Sequence, residues 1–549
     1  MNVLLKKRKI RNKYPILWEF FKELKWYLKI IIPNSHPFLI TKPLKTSPKK
    51  IKDKKKILFF AVRQDPHHIA CEFTLAQALK IRGHEIVYIA CDGLIRNICN
   101  ERCYPKLRKY VCKRCHLFTK KFYSLVDFKV NWLSKYDSKE IENINIDNLD
   151  FNSYKNFEYQ ELPIGELVRP SICHFCRVEN IELVGADEPI VRKIYKNFII
   201  GAIKIKHICE NILSEYSPDI IIMINGLFAS ERIMYELSKR KNIKNIIIES
   251  GLRPNTLFVL HNNYIDYGKA EGWENRKLIS LTKVQEEKLE EYMLQRRKGS
   301  GQAIDYWETL NDDKDKIRNR FELIKYKKII VLFPNVTWDS ALFGLKIFFD
   351  TLKDWISKTI LYFNQHPELC LIIRNHPADI AFECAMRDSI YSCLSSVYEN
   401  KLSENIKIIP PDDQISSYAL MEMSDLGLVY ASTTGLEMAL IGKPVIVVGK
   451  VHYWNKGFTL DPATEDDYYV HLNQILLKEE KMDINFELAK RYAYFIFFEA
   501  SLELKLIDTN NFREIPKLKF SSYEDLLPGK DIELDAICDG ILEGKPFIV

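Results

Sequence analysis

Short apolar runs bounded by polar turns recur along the chain in two series. KKILFFAV (Lys55–Val62) opens the first with an apolar run of strand length, followed by a loop bearing His67 and His68. A helical pattern over 70–82 ends at Gly83, and EIVYIAC (Glu85–Cys91) is the next strand. Strand, helix and strand in that span read as a βαβ unit of a parallel sheet. The rhythm lapses over 92–180 and resumes with DIIIMING (Asp219–Gly226), a helix near 228–240 and NIIIES (Asn245–Ser250). Residues 281–325 are charged and helical, a natural boundary. The second series has strands at Lys327–Pro334, Leu369–Pro377, Asn405–Pro411, Leu426–Ser432 and Lys443–Gly449, with a helix expected over 345–363.

Two such runs predict an α/β protein of two facing, doubly wound, Rossmann-like domains. The expected division is a basic arm over 1–54, a first domain over 55–300 with a Cys-rich insertion at about 92–180, and a second domain over 325–484. Residues 485–549 form a tail, in which the Glu487–Glu499 helix is placed to cross back to the first domain. The insertion is expected to hold little regular pattern, and the role of the last 45 or so residues is open.

Charge separates the arm from the body. Of 81 Lys and Arg, 17 fall in residues 1–56 with only 3 acids, leaving 64 bases and 70 acids in the remainder. At 47% hydrophobic and 28% charged, a disordered or collagen-like chain is excluded. The arm lacks the apolar core of a secretory signal. Its apolar stretch, Tyr14–Ile32, is broken by Glu19, Lys22, Glu23, Lys25 and Lys29, so it does not read as a spanning helix. Trp18, Phe21 and Trp26 would share an aromatic face, which suits a helix lying on anionic lipid or one packed on the body. The expectation is a cytoplasmic protein, with peripheral contact at the inner face of the membrane through residues 1–50 as one reading. No nucleic-acid recognition motif accompanies the charge.

Cysteines cluster in the insertion. Cys99, Cys103, Cys112 and Cys115, then Cys173 and Cys176, include two C-x2-C pairs of the kind that holds structural zinc. His116 and His174 are further candidate ligands, and reduced or disulfide-linked loop cysteines are the alternative.

In open α/β sheets ligands bind beyond the carboxyl ends of strands. Three strand ends of the second series carry chemistry. Arg374-Asn375-His376-Pro377 follows an apolar strand, and an Arg or His there could meet a phosphate. Ser432-Thr433-Thr434-Gly435 opens a helix with Glu437 inside it; hydroxyls there suit an anion and the carboxylate suits a ribose, though Thr434 with Glu437 could equally be a capping box. Pro410-Pro411-Asp412-Asp413-Gln414 lies near the same crevice.

These segments resemble the capsule polysaccharide biosynthesis family. The resemblance rests on RNHP, PPDDQ, STTGLEMALIGKPVIVVGKVHYWNKGFT, LFPNVTWDSA (Leu332–Ala341) and IESGLRPNTLFV (Ile248–Val259), spanning roughly 215–470. It implies a glycosyltransferase of the two-Rossmann GT-B architecture, of Kdo-transferase type and the surface-polysaccharide branch. A nucleotide-sugar donor would be held by Arg374, His376, Ser432, Thr433, Thr434 and Glu437, with Lys456 near its phosphate. A glycan or lipid-linked acceptor would lie against the first domain. Where the family shows an Asp and a Gly-Asn pair, this chain has Leu260-His261-Asn262-Asn263, which puts donor or acceptor identity in question.

Glycosyl transfer needs a stabilised leaving phosphate and a group that takes the acceptor's proton. Fixed hydroxyls and N–H groups meet the first need, so no cofactor is required for catalysis, with structural zinc a separate matter. For the second, Glu249 leads and Asp65 and His68 follow; Arg253 fits an acceptor or anion contact. A CDP-alditol phosphotransferase of teichoic-type polymer synthesis and a non-catalytic membrane-tethered assembly protein are the competing functions.

Overall fold

A computed structural model describes residues 51–549 other than 64, 101–110, 138–143, 145, 148, 184–187, 301–309, 338, 340–341, 382–388, 399–401, 479, 481–483, 509–515, 521 and 549, and only Phe21 and Leu24 of the first fifty. The rest of the expected Tyr14–Ile32 helix, and Cys103, lie outside the described residues.

The first series builds a seven-stranded sheet in the order β12-β6-β5-β4-β1-β2-β3. Its strands are β1 (Lys56–Ala61), β2 (Glu85–Ala90), β3 (Val130–Trp132), β4 (Ile220–Ile224), β5 (Lys244–Ser250), β6 (Thr256–His261) and β12 (Leu502–Glu503). The five strands β1 to β5 run parallel, and β6 and β12 add antiparallel pairings at one edge. The second series builds a parallel five-stranded sheet, β11-β10-β7-β8-β9, from β7 (Lys328–Phe333), β8 (Leu369–Arg374), β9 (Ile406–Ile409), β10 (Leu426–Val429) and β11 (Val445–Val447). Two doubly wound α/β sheets are therefore present, as the alternation implied.

Strand periodicity sorts the core. In β1, Ile57, Phe59 and Ala61 join a cluster with the Pro66–Ile81 helix and the tail helix Ile532–Glu543. Leu58 and Phe60 face the other way, onto the helices Ile164–Cys176, Glu188–Tyr216 and Ala229–Arg240. That second cluster continues into one face of the second sheet through Val331, Phe333 and Ile372, so the two sheets share a continuous apolar core.

Several elements differ from expectation. The insertion carries regular structure, including the helices Val111–Tyr123 and Ile164–Cys176. The helix expected from 345 starts at Leu352, where Thr351 caps it by accepting Asp354 N–H. The tail serves the first sheet: a π-helix, Phe495–Glu499, follows the Phe486–Tyr494 helix and leads into β12, and the last helix packs under β1. His261, part of the departure from the family pattern, anchors that helix through Gly540 O at 2.9 Å and stacks on Phe547.

Candidate active site

The carboxyl ends of β7, β8 and β10 open onto one cavity of about 140 Å³. Phe333, Pro334, Arg374, Asn375, His376, Ser432, Thr433, Thr434 and Glu437 line it, so the predicted donor residues other than Lys456 come together. Lys456 is half-buried elsewhere, beside Glu274 and Asp266.

Each side chain has a defined task. His376 Nδ1 accepts Ala378 N–H at 3.0 Å, which places the proton of the neutral ring on Nε2. Burial and the nearby Arg374 charge hold its pKa down at about 4, so the ring is uncharged near neutrality. Arg374 is a strut: its Nη1 and Nη2 donate to Pro410 O and Asp413 O at 2.8 and 2.9 Å, which pins the PPDD loop. Burial lowers its pKa to about 10. Ser432 Oγ accepts from Thr434 N–H and from the Thr434 hydroxyl, gathering the hydroxyls at the mouth of the cavity. A Cβ on Gly435 would lie 2.2 Å from the Tyr453 hydroxyl, which donates to Ser432 O; that turn requires glycine.

Glu437 is not a capping residue. Thr433 makes no side-chain cap, and the carboxylate instead accepts from Arg296, the penultimate residue of the Lys283–Arg297 helix. Two buried polar atoms on this cavity have no hydrogen-bond partner: Asn375 Oδ1 and Arg374 Nε. Buried polar atoms are nearly always satisfied, so this wall has hydrogen-bonding capacity to offer a polar ligand.

The first sheet supplies a second constellation. Glu249, near the end of β5, has Oε1 3.3 Å from His68 Nε2 and accepts Ser250 N–H at 2.9 Å. Its Oε2 accepts from Asn225 Nδ2 at 2.7 Å. Asn225 follows β4 with φ +63°, a region Asn tolerates, and its placement was not evident from sequence. Burial alone would raise the Glu249 pKa, but His68, Arg63 and Asn225 outweigh it and bring it to about 2. Conversely Glu249 lifts the His68 pKa above its usual value against burial. Asp65 caps the Pro66–Ile81 helix, accepting His67 N–H, and its charge helps to raise the His68 pKa. Tyr267, which donates to Ser250 O at 2.7 Å, lies within electrostatic reach of both Glu249 and Asp339 of the second domain, so the constellation faces the interdomain cleft.

Arg253 braces the fold as placed here. Its Nε donates to Phe497 O at 2.6 Å and its guanidinium covers the Phe498 ring, tying the β5–β6 turn to the π-helix.

The cysteines divide. Cys99, Cys112 and Cys115 line a cavity of about 60 Å³ beyond β1 and β2, together with Cys91 and His116. Cys173 and Cys176 are buried in the apolar core. Among the described residues, no group of three or more His, Cys, Asp or Glu side chains is arranged to hold a metal ion.

A family described as capsule polysaccharide biosynthesis protein matches residues 275–481, which span the Lys283–Arg297 helix and the second sheet. No curated protein matches the chain. Among solved structures, the KpsC beta Kdo 2,4 transferase of Thermosulfurimonas dismutans is 16% identical, with 50% of this chain and 79% of that one covered and a TM-score of 0.32. A Methanocaldococcus jannaschii UDP-GlcNAc 2-epimerase is 13% identical over 80% of this chain and 98% of its own, with a TM-score of 0.28. A Rickettsia africae glycosyltransferase is 14% identical over 81% and 95%, with a TM-score of 0.27. These likenesses are too distant to carry chemistry across.

Proposed function

We propose, from a chain whose residues 275–481 match the capsule polysaccharide biosynthesis protein family, that this protein is a glycosyltransferase that uses a nucleotide-activated sugar to extend a surface polysaccharide. The observation that carries the reading is the cavity at the ends of β7, β8 and β10, where hydroxyls, a neutral His376 and unpartnered buried polar atoms converge. A donor phosphate there would receive hydrogen bonds from His376 Nε2 and from Ser432, Thr433 and Thr434 as the sugar–oxygen bond breaks.

The acceptor, a glycan or a lipid-linked sugar, would enter from the first sheet. Its hydroxyl proton would pass to the Glu249–His68 pair, and the charge would settle on His68, whose pKa is the higher of the two. Structural zinc on the thiols of the insertion is a separate proposal, tested by metal content of the purified protein. Peripheral membrane contact through residues 1–50 is another; among the described residues no helix is long and apolar enough to cross a membrane. Vesicle sedimentation with and without that segment tests it, and equal partitioning would reject it.

Thermal-shift and donor-hydrolysis screening against CMP-, UDP-, GDP- and dTDP-sugars tests the main reading. One class should stabilise the protein and be hydrolysed. Stabilisation by CDP-alditols instead would assign a phosphotransferase, and no response to any of them would reject an enzyme of this kind.

A further inference from the structure

The cavity beyond β1 and β2, of about 60 Å³, has a largely apolar wall. Val62, Ile95, Ile98 and Phe228 line it, and the thiols beside them are weak hydrogen-bonding groups. Arg63 ties it to the Glu249–His68 pair: the residue lines the cavity, and its charge acts on both members of the pair. Arg63 does not make the cavity an anion site. Its Nε donates to Glu231 Oε1 at 2.8 Å, and its guanidinium lies on the Phe228 ring, 4.4 Å from the centroid. Glu231 lines the same cavity, so the two opposite charges offset one another there. Arg96 also lines it but is exposed to solvent.

Asn100 is the polar residue on this wall that the fold does not use. Its Nδ2 and Oδ1 are both buried, and neither has a hydrogen-bond partner. Leaving both ends of a buried amide unpaired costs stability, and a ligand that pairs both recovers it. The group that satisfies a side-by-side donor and acceptor at once is another amide: its C=O accepts from Nδ2 and its N–H donates to Oδ1. A diol could also make two bonds, but it brings no apolar part to meet Ile95, Ile98 and Phe228. An acetamido group does, through its methyl. Size agrees: a water-sized group takes up about 10–15 Å³ of such space, so 60 Å³ holds about four, matching the N, C, O and methyl of an acetamido group. His116 Nδ1, also buried on this cavity without a partner, is left for a neighbouring ring hydroxyl.

We propose that this cavity is a subsite for the acetamido group of an N-acetylated amino sugar, with Asn100 the residue that recognises the amide. The sugar so held is the acceptor, an assignment that rests on reading the Glu249–His68 pair as the group that takes the acceptor's proton. The Asn100 amide bonds to nothing in the protein, so Asn100→Leu, close to it in size, should fold and melt as wild type does. Asn100→Asp keeps the shape and replaces the donor by an acceptor.

The full chain is titrated with the methyl glycosides of N-acetylglucosamine, N-acetylgalactosamine, glucose, galactose and glucuronic acid, followed by calorimetry and saturation-transfer NMR. Wild type should bind one N-acetyl glycoside about tenfold more tightly than its unsubstituted counterpart, the scale of two neutral hydrogen bonds. The acetyl methyl should receive the strongest saturation. Asn100→Leu and Asn100→Asp should each lose most of that preference, the first at unchanged melting temperature. Equal affinity for the N-acetyl and unsubstituted glycosides, tighter binding of the uronate, or no binding of any of them would overturn the subsite. So would a preference that survives in both variants. Transfer to the preferred glycoside in Glu249→Gln tests the acceptor reading separately. A wild-type rate there would overturn that reading and leave the subsite standing.

Discussion

Glu249 Oε1 stands 3.3 Å from His68 Nε2, and the two side chains move each other's proton affinity in opposite directions. Burial would raise the carboxyl pKa and lower that of the imidazole; the pairing reverses both outcomes. For transfer, His68 must be neutral to receive a proton. Its raised pKa puts the rising limb of the pH–rate profile above the ordinary histidine value of 6.5. Glu249→Gln removes the partner, burial then dominates, and the limb should move to lower pH at a reduced rate. A limb that stays in place would show that the pair does not take the proton.

The same pair has a stability consequence of fixed sign. The Glu249 pKa is depressed to about 2 from the usual 4.5, so its contribution is present above 4.5 and is lost as pH falls from there toward 2. Glu249→Gln lacks this contribution, so its acid denaturation, followed by circular dichroism, should begin at higher pH than that of wild type. The direct expectation is a lower stability of the variant at pH 6, with the difference from wild type narrowing below pH 4.

In the proposed donor site His376 would act as a neutral hydrogen-bond donor, since burial and the Arg374 charge hold its pKa at about 4. His376→Ala should cut donor turnover about 100-fold, the scale of one lost transition-state hydrogen bond. His376→Gln, which retains a donor, should recover part of this and leave the shape of the pH profile above pH 5 unchanged. Full activity in His376→Ala would remove this residue from the reaction. Glu437 needs a gentler substitution than alanine: truncation would leave Arg296 buried without its counter-charge, at a cost of about 3–5 kcal/mol.

Arg374 separates a structural arginine from a phosphate-binding one. Its Nη atoms hold Pro410 O and Asp413 O, and hydrogen bonds from a charged group contribute about 1.5–3 kcal/mol each. Arg374→Met should lower the denaturant midpoint by an amount equivalent to about 3 kcal/mol, with hydrogen exchange speeding up around residues 410–413. A nucleotide-affinity loss at unchanged stability would return this residue to phosphate binding.

The strand ends were readable because an apolar run that stops at polar residues marks the same crevice in any open α/β sheet. RNHP and STTG follow β8 and β10 in sequence, so position along the chain and position in the site coincide. Arg296 was not readable, since its partner Glu437 lies 141 residues away and nothing near either residue announces the other. Arg374 and Arg253 also hold carbonyl groups of distant segments, contacts that nothing near either residue announces. Asp65 also has a local role legible in the sequence, a helix cap one residue ahead of a proline.

Thiol accessibility should follow the division of the cysteines. Cys112 and Cys115 are partly exposed on the cavity beyond β1 and β2, whereas Cys173 and Cys176 are buried. Brief maleimide labelling of the native protein, mapped by mass spectrometry, should modify the first pair and spare the second. Protection of Cys112 and Cys115 that a chelator relieves would instead reveal a bound metal.

A contact between the two halves should respond to pH. Glu179, just beyond the Ile164–Cys176 helix, accepts Leu352 N–H at the start of the Leu352–Asn364 helix in the second domain. Burial raises its pKa to about 7, opposed by the Leu352 and Lys353 N–H groups and the Lys353 charge, with Asp354 adding to the rise. Tyr430 is the other titratable group in reach. A raised acid pKa means that the docked contact binds the proton more tightly than the separated one. Its contribution is fully present below pH 4.5 and is lost as pH rises through about 7. Small-angle scattering should show the domains separating slightly between pH 6 and pH 8 in wild type. Glu179→Gln, which carries no charge at either pH, should remove that change; an identical response in both proteins would assign the movement to other groups.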